Sequence, residues 1–394
     1  MSSLMSQQHL AVHAVVGDGV AGHRDGAAAQ ARFDGIRSLA VLPGGGVLVA
    51  EFGSNCIRRC DLLDGGIRVS TVAGTGELGG QDGAAAQAQF RGPEGLAVLP
   101  DGRVLVADSC NQCIRMLSAL GTRVSTVAGS GRVGLQNGTA LQAQFHRPQD
   151  LVVRTDGSVL VADWANDCIR MLSADLQHVS VVAGNGLYGQ RNGVGAQARF
   201  RWPRSLVQLR DGRVLVADEE NHCIRVLEQL ESRSADMRVG TVAGDGRAGY
   251  RDGAAQRALF NYPTALALLP DDRVLVVDSL NRCIRIMSAD LQEVRTLCTP
   301  CTLGITDAEL CTAIAVLPNG NVLMASEHCI HVLAGFASAA WLRRRTLLLS
   351  LVAAQLALRC VHKRAAPAHP LPSCVLKRVA ALPTELWPSL FQYI

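Results

Sequence analysis

Lysine is almost absent from this chain, since Lys363 and Lys377 are the only two among its 394 residues. Aromatic residues are also scarce, at 4%, and no apolar run is long. The longest mainly apolar stretch, residues 346–358, spans 13 residues, whereas a membrane-spanning helix needs about 20. We therefore expect no transmembrane segment. Hydrophobic residues make up 48% and charged residues 18%, a balance that excludes an intrinsically disordered chain.

The formal net charge of +4 is concentrated near the C-terminal end. Residues 335–394 contain eight Lys or Arg and one acidic residue, Glu385, which leaves 30 basic and 33 acidic residues, a net −3, for residues 1–334. Proteins that bind nucleic acid neutralise phosphates with basic side chains, so we do not expect nucleic acid as a partner. The exception would be a local patch formed by Arg91, Arg147, Arg201 and Arg204.

Residues 1–9 contain no basic residue ahead of an apolar stretch, so they do not resemble a secretory signal. The chain has 13 cysteines, and an odd number without a signal peptide favours reduced thiols. We therefore predict a cytoplasmic protein. The Arg343–Arg345 cluster beside the apolar stretch 346–358 predicts at most a weak contact with a membrane surface.

Three sequence markers recur in phase along the chain, at steps of 55 to 60 residues. A Gly-x-Gly turn begins at Gly17, Gly74, Gly129, Gly184 and Gly244. A phenylalanine recurs at Phe33, Phe90, Phe145, Phe200 and Phe260. The tripeptide Cys-Ile-Arg begins at Cys56, Cys113, Cys168, Cys223 and Cys283, and a degraded copy begins at Cys329. The chain therefore contains six repeat units.

Each repeat unit predicts four short strands separated by turns. In residues 95–129, for example, Asp101-Gly102 marks a tight hairpin, and the following strand, residues 104–107, is apolar on both faces. Such a sheet must be covered on both sides, as in the blades of a propeller. The sixth unit ends one strand short, while residues 10–16 form an additional strand. We expect this N-terminal strand to complete the last blade and leave no long unpaired edge.

The pattern resembles the NHL repeat in the order of its motifs: Gly-x-Gly-x-x-Gly, Asp-Gly, Ala-x-Phe, Pro, Asp-Gly-x-Val-Leu-Val-Ala-Asp and Asn-x-x-Ile-Arg. The resemblance covers residues 10–334 and implies a six-bladed β-propeller. The name-giving Asn-His pair occurs only at Asn221-His222, and the sixth copy is weak. We therefore predict an all-β fold with four-stranded blades over residues 10–334, a leader of residues 1–9 and a basic, mainly helical tail over residues 335–394.

Two kinds of motif resemble cofactor or metal sites. The Gly-x-Gly-x-x-Gly motif at Gly17 and its later copies match the dinucleotide-binding fingerprint, which requires a long helix after the glycines. Because only a short Ala-rich turn follows each copy, we predict repeated turns and no cofactor. Cys298, Cys301 and Cys311 replace repeat residues, so a zinc site remains open beside their interpretation as small buried hydrophobic residues.

An enzyme built on this fold would need ligands that converge on the central axis. The candidates at the start of the inner strands are Arg37, Glu94, Gln149, Asp150, Arg204 and Thr264. Two acids do not form a calcium site, and His146 alone does not supply the three protein ligands of a catalytic zinc ion. We therefore predict no catalytic, cofactor-binding or metal-binding residue. The acid that ends each second strand and the Arg of each Cys-Ile-Arg are predicted to be structural.

The Trp and Tyr residues of the repeats all fall in loops that a propeller places on one face. Together with neighbouring arginines, the candidate partner-binding residues are Arg147, Trp164, Tyr188, Arg201, Trp202, Tyr250 and Tyr262. Aromatic and Arg side chains on a rigid face are typical of interface anchors. We therefore predict a non-enzymatic scaffold that binds a protein or peptide ligand on this face.

Two alternatives to a binding scaffold remain open. One is a propeller hydrolase or lyase with a metal ion in the central channel. The other is a ubiquitin-ligase-associated substrate receptor, because some NHL proteins carry ligase domains and residues 382–387 resemble the opening of an F-box. No series of cysteines and histidines typical of a RING domain precedes the propeller.

Overall fold

The computed structural model describes residues 11–63, 66–230, 237–299 and 311–334. Within these segments the chain forms 29 strands and nine short 3₁₀ turns, but no α-helix. The strands make six separate antiparallel sheets, five with four long strands and one two-residue strand, and one with four strands. This arrangement confirms the predicted all-β six-bladed propeller.

The strands follow one another blade by blade. The first strand, β1 (Ala11–Val16), belongs to the last blade. Blade 1 contains β2 (Gly26–Ala27), β3 (Ile36–Val41), β4 (Val47–Glu51), β5 (Cys56–Leu63) and β6 (Gly66–Ala73). Blade 2 contains β7 (Gly83–Ala84), β8 (Pro93–Val98), β9 (Val104–Asp108), β10 (Cys113–Leu117) and β11 (Arg123–Ala128). Blade 3 contains β12 (Gly138–Thr139), β13 (Pro148–Val153), β14 (Val159–Asp163), β15 (Cys168–Leu172) and β16 (His178–Ala183).

The remaining blades repeat this order. Blade 4 contains β17 (Gly193–Val194), β18 (Pro203–Gln208), β19 (Val214–Asp218), β20 (Cys223–Gln229) and β21 (Met237–Ala243). Blade 5 contains β22 (Gly253–Ala254), β23 (Pro263–Leu268), β24 (Val274–Asp278), β25 (Cys283–Met287) and β26 (Glu293–Cys298). Blade 6 contains β27 (Ala313–Val316), β28 (Val322–Ala325) and β29 (Ile330–Ala334). In blades 1 to 5 the two-residue strand pairs with the outermost long strand.

The 3₁₀ turns occupy two repeated positions. One set follows the two-residue strands, at Ala28–Gln30, Ala85–Gln87, Ala140–Gln142, Gly195–Gln197 and Ala255–Arg257. The other follows the second long strand of blades 2 to 5, at Ser109–Asn111, Trp164–Asn166, Glu219–Asn221 and Ser279–Asn281. No long helix follows the Gly-x-Gly motifs in the described segments, and the motifs form turns as predicted. At Gly129, for example, φ is +98°, and a Cβ atom would lie 2.6 Å from the carbonyl oxygen of Gln112.

The propeller is closed by its N-terminal strand. β1 pairs antiparallel with β29, from Ala11 opposite Ala334 to Val16 opposite Ile330. It thereby becomes the outer strand of blade 6, whose order is β1-β29-β28-β27. The predicted closure is confirmed, and it covers an edge that would otherwise have unpaired backbone groups.

The repeated phenylalanines fill the junctions between blades. Phe145 is fully buried, among Ala97 and Leu105 of blade 2 and Leu151 and Val161 of blade 3. Phe33, Phe90, Phe200 and Phe260 are equally inaccessible. The core therefore consists of apolar layers between neighbouring blades.

The repeated arginines are fully buried in the blades, as predicted for structural residues. In blade 3, Nη1 of Arg170 donates to Oδ2 of Asp163 at 2.9 Å and to the carbonyl oxygen of Gln144 at 2.7 Å. Its guanidinium lies 5.1 Å from the ring centre of Phe145. Equivalent arginines are Arg58, Arg115, Arg225 and Arg285. Each one pairs with the acid that ends the second strand of its own blade.

The predicted leader, residues 1–9, and the predicted helical tail, residues 335–394, lie outside the described residues. Cys301, one of the three candidate zinc ligands, also lies outside them. None of the helices in the described part of the chain is long and apolar enough to cross a membrane.

Candidate functional site

The loop before each inner strand and the turn after each second strand lie on the same face of the propeller, because these two strands pair antiparallel. In blade 3, for example, Pro148 at the start of β13 lies opposite Asp163 at the end of β14. Arg147 and Trp164 are therefore neighbours on this face, which we call the upper face. The turns that join the first and second strands form the opposite, lower face.

Two tryptophans from adjacent blades are stacked on the upper face. The ring centres of Trp164 and Trp202 are 4.7 Å apart, and their planes differ by 27°. The guanidinium of Arg147 lies 5.4 Å from the ring centre of Trp164. Nε1 of Trp164 donates to Oε2 of Glu219 at 3.1 Å. We call Arg147, Trp164 and Trp202 the tryptophan stack.

A second group of side chains surrounds Glu220 in blade 4. The hydroxyl of Tyr262 donates to Oε2 of Glu220 at 2.6 Å, and Nη2 of Arg201 lies 3.3 Å from Oε1. The hydrogen bond to Glu220 raises the pKa of Tyr262. Arg201 also lies 5.7 Å from the ring centre of Tyr188, which is 71% exposed. We call Tyr188, Arg201 and Tyr262 the tyrosine cluster.

Tyr250 belongs to neither group. Its hydroxyl shares a hydrogen bond with Oγ1 of Thr296 at 2.8 Å, and its ring lies 5.2 Å from the guanidinium of Arg285. Thr296 lies in β26, the outermost long strand of blade 5. The structure therefore brings together six of the seven predicted residues in two groups and places Tyr250 on the outer side of its blade.

The residue immediately before the first residue of each inner strand has left-handed backbone in blades 1 to 5. Glycine occupies this position in blades 1 and 2, where Gly35 and Gly92 have φ of +68° and +60°. Arg147, Trp202 and Tyr262 occupy it in blades 3 to 5, with φ of +55°, +59° and +58°. For bulky residues this conformation is unusual and costs about 1–2 kcal/mol per residue.

Hydrogen bonds between neighbouring blades hold these left-handed residues in place. The backbone N–H of Arg147 donates to Oε1 of Gln112 at 2.6 Å, and that of Trp202 donates to Oδ1 of Asp167 at 2.9 Å. The N–H of Tyr262 donates to Nδ1 of His222 at 3.2 Å. The acceptors occupy the second position of the Asn-His pair and its replacements, so this repeat position joins each blade to the next.

The inner strands surround a channel that opens on the upper face through a cavity of about 350 Å³. Polar residues that line it include the predicted channel residues Arg37, Glu94, Gln149, Arg204 and Thr264. A smaller cavity of about 160 Å³ lies along the inner strands and includes Asp150 in its lining. Burial raises the pKa of Asp150 to about 6 and also raises the pKa of Glu94.

Trp164 and Arg147 also line the cavity of about 350 Å³, so the tryptophan stack adjoins the mouth of the channel. Nη1 of Arg204 lies 3.0 Å from Oε1 of Glu219, the same carboxylate that accepts from Trp164. In the described part of the chain, no group of three or more His, Cys, Asp or Glu is placed to hold a metal ion.

Glu219 and Glu220 are absent from the set of residues predicted from the sequence, although they connect both groups to the rest of the upper face. Glu219 follows the repeated acid of its blade, at the position that Trp164 occupies in blade 3. A comparison of the residues at this one repeat position would have identified Glu219, because Ser109 and Ser279 occupy it in blades 2 and 5.

The NHL repeat family matches residues 90–116 and 200–227, which lie in blades 2 and 4. The chain is 28% identical over 282 residues to Protein SUPPRESSOR OF QUENCHING 1, chloroplastic, of Arabidopsis thaliana, with coverage of 68% of this chain and 26% of that protein. It is 30% identical over 166 residues to NHL repeat-containing protein 2 of Gallus gallus, with coverage of 38% and 22%. The chain therefore spans about a quarter of the length of these curated relatives.

A solved structure with a similar fold is a protein of unknown function from Bacteroides thetaiotaomicron. Its TM-score is 0.59 at 16% sequence identity, with coverage of 82% of this chain and 76% of that chain. The likeness concerns the propeller fold.

Proposed function

From the premise that this chain is an NHL-repeat six-bladed β-propeller, we propose that it is a non-enzymatic scaffold that binds a protein or peptide on its upper face. The proposed binding surface consists of the tryptophan stack and the tyrosine cluster. Its residues are Arg147, Trp164, Tyr188, Arg201, Trp202 and Tyr262. Tyr250 lies outside this surface and serves as its control.

The main observation in support of this proposal is the left-handed backbone of Arg147, Trp202 and Tyr262. Glycine adopts this conformation without strain in blades 1 and 2. Large side chains at the same position in blades 3 to 5 reduce stability, and backbone strain of this kind is concentrated at functional sites. All three side chains lie on the upper face, which favours a role in binding over a role in folding.

The composition of the surface supports the same function. Trp, Tyr and Arg are the residues most enriched among those that contribute strongly to protein–protein binding. The stack of Trp164 on Trp202 and the hydrogen bond from Trp164 to Glu219 fix the two indoles before a ligand arrives. A rigid aromatic surface loses little conformational entropy on binding, which increases affinity.

A displayed library of random peptides, selected on the immobilised 394-residue chain, tests this proposal. We expect the selected peptides to lose about 2 kcal/mol of binding free energy, or roughly 30-fold in affinity, with Trp164→Ala and with Trp202→Gly. Glycine is chosen at position 202 because it relieves the left-handed strain. Tyr250→Ala removes an exposed aromatic residue outside the surface and is expected to bind as the wild type does.

Thermal unfolding of the same variants separates binding from packing. If Trp164 and Trp202 anchor a ligand, the melting temperature changes little while the affinity falls. A large loss of melting temperature without a specific loss of peptide affinity would assign both tryptophans to the packing of the ring. It would refute the proposed binding surface.

The cytoplasmic location, the contact of the tail with a membrane surface and the ubiquitin-ligase alternative remain predictions. The Arabidopsis relative is chloroplastic by name, so fractionation of cells that express the tagged chain is the direct test of location. Residues 382–387 lie outside the described residues, and co-purification of ligase components tests their role. Metal analysis of the purified chain tests the alternative of a metal-dependent hydrolase or lyase.

A further inference from the structure

The cavity at the upper mouth of the channel is lined by three arginines and three acids. The arginines are Arg37, Arg147 and Arg204, and the acids are Glu94, Glu219 and Glu327. Two of these arginines have ion-pair partners in the lining itself. Arg37 lies 3.4 Å from Glu327, and Arg204 lies 3.0 Å from Glu219.

Arg147 is the exception. Among the described residues its side chain makes no ion pair and no hydrogen bond, and its Nε atom is buried without an acceptor. Its guanidinium instead lies over the ring of Trp164, 5.4 Å from the ring centre. A guanidinium has five N–H donors and no acceptor, and a buried donor without a partner is unfavourable. Arg147 is therefore held on the tryptophan stack with its Nε donor unsatisfied among the described residues.

We propose that the cavity receives the carboxylate of an Asp or Glu side chain of a polypeptide ligand, which accepts hydrogen bonds from Arg147. The inference rests on the proposed binding function of the upper face and specifies its ligand. A planar guanidinium and a carboxylate form paired hydrogen bonds that are stronger than neutral ones. The contact with Trp164 fixes the plane of the guanidinium before the carboxylate binds.

The charges of the cavity favour a carboxylate over a phosphate group. Glu94, Glu219 and Glu327 line the same space, and a phosphate with almost two negative charges would be repelled more strongly by them. Arg147 and Glu94 are the two charged residues of the lining without an ion-pair partner among the described residues, and burial raises the pKa of Glu94, which disfavours its negative charge. One additional negative charge therefore matches Arg147. Glu94 is only 7% exposed and lies near the charges of Arg204, Arg37 and Arg147.

The dimensions and surroundings of the cavity favour a polypeptide over a free small molecule. Its volume of about 350 Å³ is near the lower end of the roughly 300–1,000 Å³ that enclose a drug-sized ligand. Tyr188 is 71% exposed, and the side chain of Arg201 is 46% exposed. An extended chain that places one acidic side chain in the cavity would contact these residues as well.

The test uses the 394-residue chain with Trp341→Phe and Trp387→Phe, which leaves Trp164 and Trp202 as its only tryptophans. The probes are the peptides selected from the random library, each paired with a copy in which its acidic residues are replaced by their amides. We expect the selected peptides to share an acidic residue and to change the tryptophan fluorescence. The amide copy should bind about tenfold or more weakly.

Variants of Arg147 then locate the carboxylate. Arg147→Gln should lower the affinity for the acidic peptide about tenfold or more and remove the difference between the acidic and amide copies. Arg147→Gly should have the same two effects. Glycine relieves the left-handed strain at this position, so this variant replaces Arg147→Gln if Arg147→Gln proves unstable. Arg210→Gln, which removes an exposed arginine from the lower face, should leave the affinity unchanged.

Three results would overturn the inference. The first is equal binding of acidic and amide peptides, and the second is unchanged discrimination between them in both Arg147 variants. The third is displacement of the peptide by free glutarate at a concentration close to the dissociation constant of the peptide. This result would show that the site binds a small carboxylate as tightly as it binds the peptide. If Trp164→Ala still weakens peptide binding in any of these cases, the proposed scaffold function stands without this ligand. If no selected peptide depends on Trp164 or Trp202, the proposed function itself fails.

Discussion

Arg170 and Asn137 form one hydrogen bond, from Nη2 to Oδ1 at 2.9 Å, whereas the equivalent pair in blade 2, Arg115 and Asp82, forms two. Oδ1 of Asp82 accepts from Nε at 3.0 Å and from Nη2 at 2.6 Å. In blade 3 the buried Nε atom of Arg170 has no acceptor among the described residues. Both donors reach the same oxygen of Asp82, and its carboxylate carries a negative charge that strengthens these bonds and that the amide of Asn137 lacks. The blades therefore differ in how completely their central arginine is satisfied.

Asn137→Asp should stabilise the propeller by about 1 kcal/mol, because the new carboxylate can accept from both Nε and Nη2 of Arg170. The measurement is the midpoint of denaturant-induced unfolding. Asp82→Asn in blade 2 is the matched reverse change and should lower the midpoint. Equal midpoints for the wild type and both variants would show that the unsatisfied Nε atom does not limit stability.

Phe145→Ala should destabilise the protein by about 3–5 kcal/mol, because it leaves a cavity between blades 2 and 3. The variant also removes the ring on which the guanidinium of Arg170 lies. Denaturant unfolding provides the measurement, and Leu141→Ala, at a nearby residue that is 60% exposed, provides the control. An unchanged midpoint in Phe145→Ala would contradict its assignment to the blade junction.

The positions that repeat could be predicted from the sequence because five blades place the same residue type in the same environment. The buried phenylalanines and arginines and the closure by β1 follow from spacing alone. The sequence also predicted that Trp164 and Trp202 lie on one face, because the loop after a second strand and the loop before the next inner strand emerge on the same side of a propeller. Their stacking was not predictable, because it depends on the left-handed φ of Trp202, and neither composition nor spacing specifies that angle.

Tyr250 and Tyr262 show the same limit. Both lie in loops between blades, and the sequence gives no reason to separate them. Tyr262 reaches Glu220 because its backbone is left-handed, whereas Tyr250 reaches Thr296 on the outer strand of its own blade. Side-chain direction in a loop is set by individual backbone angles and not by a hydrophobic period, so repeat analysis does not resolve it.

Deletion of residues 1–16 should lower the melting temperature and cause association. It removes β1 and leaves the outer edge of β29 (Ile330–Ala334) unpaired, and an exposed strand edge pairs readily with other chains. It also removes Val16, which is buried against Phe33 and Ile330. Calorimetry and light scattering measure the two effects. Deletion of residues 1–9 retains β1 and should change neither, and a monomeric deletion of 1–16 with the wild-type melting temperature would disprove the stabilising role of β1.

Asp150 should make the propeller less stable as the pH rises from about 4 to about 6. Burial raises the pKa of its carboxyl from 3.8 in the unfolded chain to about 6 in the folded channel. The folded state therefore binds more protons than the unfolded state in this range, so the stability is present below pH 4 and is lost as the carboxyl ionises. Both oxygens accept backbone N–H groups, from Leu151 and Leu206, at 2.8 Å.

Asp150→Ser isolates this contribution. Serine occupies the equivalent strand position in blades 1 and 4, at Ser38 and Ser205. There its hydroxyl accepts the backbone N–H of an inner strand of another blade, from Leu96 and Leu266, at 3.2 Å. The variant should lose the hydrogen bond from Leu151 at every pH. It should also lose the pH-dependent decrease in stability that ionisation of the buried Asp150 carboxyl causes. We therefore expect the melting temperature of the wild type to exceed that of the variant by more at about pH 4.5 than at about pH 7. A difference that is constant over this range would show that Asp150 ionises at its ordinary pKa in the folded protein.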